Sequence, residues 1–222
     1  MELSEKLVLA LPKGRILEEV MPLVRAAGIE PEAAFDDSKS RKLEFDTNIA
    51  NLSIIRVRSF DAATFVAFGA AHLGVVGNDV LQEFGYTDLY SPLDLKIGAC
   101  RLSLAMPVGE SNTDPKEWSH IRVATKYPNL TRAYYANHGV QAECIKLNGA
   151  MELAPKLGLS KRIVDLVSTG STLKANSLKE VEVLTEITSR LVVNRPAFKT
   201  RPRELTYWID KFREVLDDGK AA

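Results

Sequence analysis

Cysteine and histidine are scarce in this sequence, and their scarcity excludes several kinds of chemistry at once. There are two cysteines, Cys100 and Cys144, and three histidines, His72, His120 and His138, in 222 residues. No C-x-x-C pair occurs and no two histidines stand at i, i+4, whereas a structural zinc site needs about four such ligands at recognisable spacing. Two thiols are too few for a disulfide scaffold, so a pair of buried, reduced cysteines is expected. An excess charge is also missing: Lys plus Arg is 29 and Asp plus Glu is 29, a net charge of zero. That balance excludes a nucleic-acid or acidic-membrane binder acting through bulk charge, while leaving room for a local basic pocket. No apolar run approaches the ~20 residues of a spanning helix. The opening MELSEKLVLALPKG carries two glutamates where a secretory signal is basic. There is no internal repeat and no low-complexity segment. The class that remains is a cytoplasmic enzyme or ligand-binding module, with neither nucleic acid nor membrane as partner.

What is present is an ordinary apolar content, 45%, laid out as short β-rich runs alternating with helical patterns. Residues 7–11 read as a buried strand running into a helix, with Ile16, Val20, Leu23 and Val24 on one face and Gly28 at its end. Further strands are predicted at 42–47, 52–57, 73–76, 97–106, 121–125, 143–147, 163–167 and 181–188. Helices are predicted at 60–71, 130–137 and 151–157, from Thr172, and after Pro202, where Leu205, Trp208, Ile209, Phe212 and Leu216 share one side. Asn78 or Asp79 is expected to cap a short helix ending near Gly85. Alternating βα units predict an α/β fold with mostly parallel sheets and helices on both faces. The rhythm restarts after a loop over 107–118, so two lobes are expected, one of 1–103 with 184–222 and one of 104–183. Ligands of such sheets gather where strands give way to helices.

Several of those turns carry unusual residues. In 165–176, DLVSTGSTLKAN, a buried strand ends, Gly170 sits in the turn, and Ser168, Thr169, Ser171 and Thr172 surround it. Helix N-termini expose unsatisfied N–H groups and partial positive charge, which suits a phosphate. Asp165 could accept hydrogen bonds from a sugar diol. A capped helix without a ligand would look the same, and no Walker pattern is present. After the first strand, Lys13 and Arg15 flank Gly14, a placement the helix dipole disfavours unless an anion offsets it; two solvated charges are the plainer alternative. Arg41 lies in the basic loop Ser40-Arg41-Lys42. Together Lys13, Arg15 and Arg41 would suit a pyrophosphate. Asp79 reads as a helix cap or a ligand contact, Asp94 as a turn residue or a contact. Tyr127 follows a strand end, and Glu152 begins a helix, where the dipole alone would favour it.

Across nearly the whole chain these residues resemble the ATP phosphoribosyltransferase family, in its short form. The resemblance rests on LPKGR at 11–15, SRKL at 40–43, GVVGND at 74–79, DLKIGACRL at 94–102, ATKY at 124–127, NGAMELAP at 148–155 and DLVSTGSTLKAN at 165–176. It implies a two-lobed fold like that of type II periplasmic binding proteins, without the regulatory domain of the long form. It further implies that N1 of ATP attacks C1 of phosphoribosyl diphosphate and releases pyrophosphate, the first step of histidine biosynthesis. Thr169, Gly170, Ser171 and Thr172, with Ser168, would hold the 5′-phosphate, and Asp165 and Glu152 the ribose hydroxyls. Arg15, Arg41 and Lys13 would act on the leaving pyrophosphate, and Asp79, Asp94 and Tyr127 would lie on the ATP side. Mg²⁺ would be held mainly by substrate phosphates. The partner implied is a regulatory chain resembling histidyl-tRNA synthetase, with a dimer of this chain inside a hetero-octamer.

Overall fold

The computed structural model describes residues 6–111 and 119–219, so residues 112–118 of the loop expected over 107–118 lie outside the described residues. In chain order the elements are β1 (Leu7–Pro12), α1 (Arg15–Ala26), β2 (Glu44–Asp46), β3 (Leu52–Val57), α2 (Ser59–Ala67), β4 (Leu73–Gly77), α3 (Asn78–Phe84) and β5 (Leu89–Asp94). They continue with β6 (Cys100–Pro107), β7 (His120–Thr125), α4 (Pro128–Asn137), β8 (Gln141–Lys146), α5 (Leu153–Lys156), β9 (Arg162–Val167), α6 (Ser171–Ala175) and β10 (Leu178–Ile187). Then follow β11 (Ser189–Asn194), α7 (Arg195–Thr200) and α8 (Pro202–Asp218).

The chain divides into two compact units, one of residues up to 81, 85–98 and 188 onward, the other of 82–84 and 99–187. Breaks were expected at 103/104 and 183/184. They fall instead at 98/99 and 187/188 because β6 and β10 pair from Cys100↔Ile187 to Pro107↔Leu178 and cannot be divided between two bodies.

The first unit has six strands in the order β2-β3-β1-β4-β11-β5. Strand alternation puts Leu7, Leu9 and Leu11 on the face that packs with Val20 and Val24 of α1 and with Trp208 and Phe212 of α8. Val8 and Ala10 face the other way, toward Ala62, Ala63 and Val66 of α2. That helix lies so close that a Cβ on Gly74 would stand 2.7 Å from Val66 Cγ2. The second unit has five strands in the order β10-β6-β9-β7-β8. One of its faces buries Ala105, Ala124, Ile163 and Val167 with Met151, Ala154 and Leu173.

Helices do cover both faces of the first sheet, but the sheets are mixed rather than mostly parallel. Four of the nine pairings are parallel, those of β1 with β3 and β4 and of β7 with β8 and β9. The other five are antiparallel, because β2, β6 and β11 run against the remaining strands of their sheets and take part in every one of these pairings. A second correction concerns α3: its N-cap is Gly77, with no side-chain cap, and Asp79 sits in the first turn.

Candidate active site

In the second unit β9 ends at Val167 and α6 begins at Ser171. Gly170 joins them with φ +76°, a left-handed conformation that a side chain disfavours. Thr169 Oγ1 and Ser171 Oγ lie 2.9 Å apart in a hydrogen bond, and the Ser171 N–H donates to Thr169 Oγ1 at 3.3 Å. The next N–H groups, of Thr172 and Leu173, precede any i−4 acceptor within the helix. Asp165 stands opposite Ser103 in the β6–β9 register, and its Oδ1 accepts from the Leu166 N–H at 2.8 Å. Glu152 occupies the N-cap position of α5.

These elements enclose a cavity of about 170 Å³ lined by Glu152, Asp165, Ser168, Thr169, Gly170 and Thr172, with Ser103 and Ala105 from β6. Six of the seven residues predicted for phosphoribosyl diphosphate are thereby brought together, and Ser171 flanks them in the same turn. The volume is below the ~300 Å³ of a typical small-molecule pocket, so it fits part of a substrate, a sugar phosphate, more closely than a whole nucleotide. A larger hollow of about 820 Å³ adjoins Glu110, His120 and Arg162 and includes none of the predicted site residues.

In the first unit the cations collect at the carboxyl ends of β1 and β3. Pro12 pairs with Val57, and the Lys13 N–H donates to the Val57 carbonyl at 2.8 Å. β2 runs antiparallel to β3 with Glu44 opposite Ile55, which carries the preceding Arg41 to the same end. Arg58, just past β3, joins them, and no motif had marked it; the signal was the pair of arginines closing the apolar run IIRVR. Among the described residues Lys13, Arg41 and Arg58 are exposed and have no ion-pair partner. Arg15 faces Glu19 at 3.3 Å. Arg56 is spent on the fold, donating to the Phe35 carbonyl at 2.8 Å and lying over the Phe35 and Phe45 rings.

None of the three residues predicted for ATP lines the cavity. Tyr127 is 1% exposed and Asp79 5% exposed, so the fold encloses both side chains. Asp94 accepts from the Lys96 N–H at 3.0 Å and from Lys96 Nζ at 2.9 Å, with Arg190 at 3.4 Å. Burial pushes its carboxyl up, but these donors and Thr188 outweigh it and hold Asp94 below the usual carboxylate range. Cys100 and Cys144 form no disulfide and are half-buried where full burial was expected. No three His, Cys, Asp or Glu side chains converge among the described residues.

The HisG: ATP phosphoribosyltransferase family model matches residues 58–214. An ATP phosphoribosyltransferase of Paramagnetospirillum magneticum is 69% identical over 213 residues, covering 96% of this chain and 97% of its own length. That of Rhodospirillum rubrum is 66% identical, covering 96% of this chain and 95% of its own.

The chain belongs to the ATP phosphoribosyltransferase family.

The family match begins at Arg58, so LPKGR and SRKL lie before it, and the relatives' near-complete coverage carries those segments. Among solved structures, a chain of the ATP phosphoribosyl transferase (HisG:HisZ) complex from Thermotoga maritima superposes with TM-score 0.81 at 32% identity, covering 96% of this chain and 99% of that one. The glutamate-bound GluR0 ligand-binding core follows at TM-score 0.60 and 9% identity, covering 97% and 94%. The alkanesulfonate-binding protein SsuA of Xanthomonas axonopodis follows at 0.58 and 13%, covering 98% and 76%. These last two carry the architecture alone: a family member on a fold shared with type II periplasmic binding proteins.

Proposed function

We propose that this chain transfers the 5-phosphoribosyl group of phosphoribosyl diphosphate to N1 of ATP and releases pyrophosphate. The observation that carries the assignment of residues is the 170 Å³ cavity, where hydroxyls, a left-handed glycine and two carboxylates line one space. Thr169, Gly170, Ser171 and Thr172, with Ser168, hold the 5′-phosphate through hydroxyls and backbone N–H groups. Asp165 and Glu152 accept hydrogen bonds from the ribose hydroxyls, which positions C1 and favours positive charge on the sugar.

The adenine N1 lone pair forms the new bond to C1 as the C1–O bond breaks, its electron pair leaves with pyrophosphate, and C1 inverts. Negative charge therefore grows on the leaving group, where Arg15, Arg41 and Lys13 stabilise it, helped by Arg58. N1 is already a nucleophile, so neither a covalent intermediate nor a strong base is required, in keeping with the scarcity of histidine and cysteine. Asp79, Asp94 and Tyr127 keep their place on the ATP side of this proposal on the strength of the sequence resemblance alone.

Mg²⁺ is the metal of this proposal. The ion would be held mainly by substrate phosphates, with Asp165 and Glu152 as the carboxylates available to it in the cavity, and would supply charge neutralisation on the pyrophosphate. A synthetase-like regulatory partner is supported by likeness to a chain of the HisG:HisZ complex. The dimer within a hetero-octamer, the short form and a cytoplasmic site of action rest on the sequence resemblance. No helix of the described chain is long and apolar enough to cross a membrane.

The test is absorbance-monitored turnover with ATP, phosphoribosyl diphosphate, Mg²⁺ and a pyrophosphatase, since substitution at N1 alters the adenine chromophore. Signal that needs both substrates is expected. None, with or without a synthetase-like partner, would overturn the proposal.

A further inference from the structure

The turn after β9 is held from behind by two residues to which the motifs give no role. Along β6, Arg101, Ser103 and Ala105 alternate on one face and pair with Val167, Asp165 and Ile163 of β9. Arg101 grips Glu180 of β10 as a fork, Nε to Oε1 at 2.5 Å and Nη2 to Oε2 at 2.7 Å. Its remaining nitrogen, Nη1, donates to the Ser168 carbonyl at 3.0 Å. Ser103, which lines the cavity, donates through Oγ to the same Glu180 oxygen at 2.7 Å. β10 breaks register between Glu180 and Glu182, a bulge of the kind that re-aims side chains beside functional sites.

We propose that Arg101 and Glu180 are positioning residues for the phosphoribosyl end of the substrate: Arg101 pins the Ser168 carbonyl, and Glu180 pins Arg101. The inference rests on the phosphoribosyl reading of this turn. A trans peptide is planar, with C=O and the following N–H pointing oppositely. Holding the Ser168 oxygen on a guanidinium therefore also fixes the Thr169 N–H, and with it the start of the run of donors offered to a phosphate. A planar fork sets angle as well as distance, which an ammonium does not. Neither side chain touches the reacting atoms, so the effect belongs in the binding of one substrate.

The experiment is calorimetric titration of the full chain with phosphoribosyl diphosphate and Mg²⁺, and separately with ATP, beside steady-state kinetics. Arg101→Gln is expected to raise Kd and KM for phosphoribosyl diphosphate about tenfold, the effect of one misaligned charge-assisted hydrogen bond. Its kcat and the affinity for ATP should stay within about twofold of wild type. Arg101→Lys should recover only part of the loss, because one ammonium cannot serve both partners. Glu180→Gln keeps the acceptor's shape and should show a smaller loss in the same direction; it carries the test alone if Arg101→Gln does not fold. Unchanged affinity for phosphoribosyl diphosphate in these variants would overturn the inference. So would equal loss for ATP, or full rescue by lysine. A wild-type chain that binds and turns over both substrates while its variants match it would sink the positioning role and leave the proposed reaction standing.

Discussion

An exposed arginine with no ion-pair partner among the described residues contributes little to the fold they form, which makes Arg41 a direct probe of chemistry. Arg41→Ala should leave the melting temperature within about 2 °C of wild type, as surface changes generally do. If its guanidinium acts on the departing pyrophosphate, kcat should fall tenfold or more, since each ~1.4 kcal/mol of lost transition-state stabilisation is a decade in rate. An unchanged kcat with a raised KM would instead make it a uniform binding contact. Arg15 is a less direct probe, because Glu19 faces it at 3.3 Å and also accepts from the Gly98 N–H at 2.6 Å. On the sugar side, Asp165→Asn preserves an oxygen for the Leu166 N–H but gives up the charge and one acceptor. Its expected signature is several-fold weaker binding of phosphoribosyl diphosphate with ATP binding unaltered, and equal weakening of both would remove Asp165 from the ribose.

At the scale of elements, what could be read from sequence depended on whether the signal was local. The β1–turn–α1 and β9–turn–α6 units are legible because an apolar run, a glycine and a helical period follow one another directly. The amphipathic α8 is legible for the same reason, and Leu205, Trp208, Ile209 and Phe212 are all buried. β5 is not: Pro92 interrupts it, and proline argues against a strand unless the strand lies at an edge, which is where β5 lies. β11 is not legible: the strand predicted over 181–188 matches β10, and Thr188 alone separates the two, so no turn signal announces a second strand. Close packing between elements was equally invisible. Gly74→Ala would bring a Cβ within 2.7 Å of Val66 Cγ2 and 3.3 Å of the Ala10 carbonyl. Such overpacking should cost about 1–3 kcal/mol, read as a lower denaturant midpoint with an unchanged slope. A midpoint equal to wild type would mean that α2 shifts freely on β4.

For the molecule as a whole, the chemistry was legible as motifs and their placement was not, because placement comes from strand pairing across long sequence distances. Ser103 reaches Asp165 only through the β6–β9 register, and Arg58 comes to the same end of the sheet as Lys13 and Arg41 only through β1, β2 and β3. Paired carboxylates in both units give this arrangement a shared pH dependence. In the second, the hydrogen bond from Arg101 holds Glu180 below its ordinary range despite some burial. In the first, Arg201 does the same for Glu204, and Asp94 is held low by Lys96, Thr188 and Arg190 against its burial. A carboxyl whose folded pKa lies below its unfolded one adds stability that is complete above the unfolded value. That stability is lost as pH falls through the folded one, because the unfolded chain takes up protons first. The melting temperature should therefore be flat from about pH 8 to 6 and fall through roughly pH 5 to 3. Glu180→Gln removes one contributor, so its curve should begin lower and fall less steeply. A wild-type melting temperature that rises between pH 6 and 4, or a Glu180→Gln curve parallel to it throughout, would mean that these carboxylates are no better held in the folded chain than in the unfolded one.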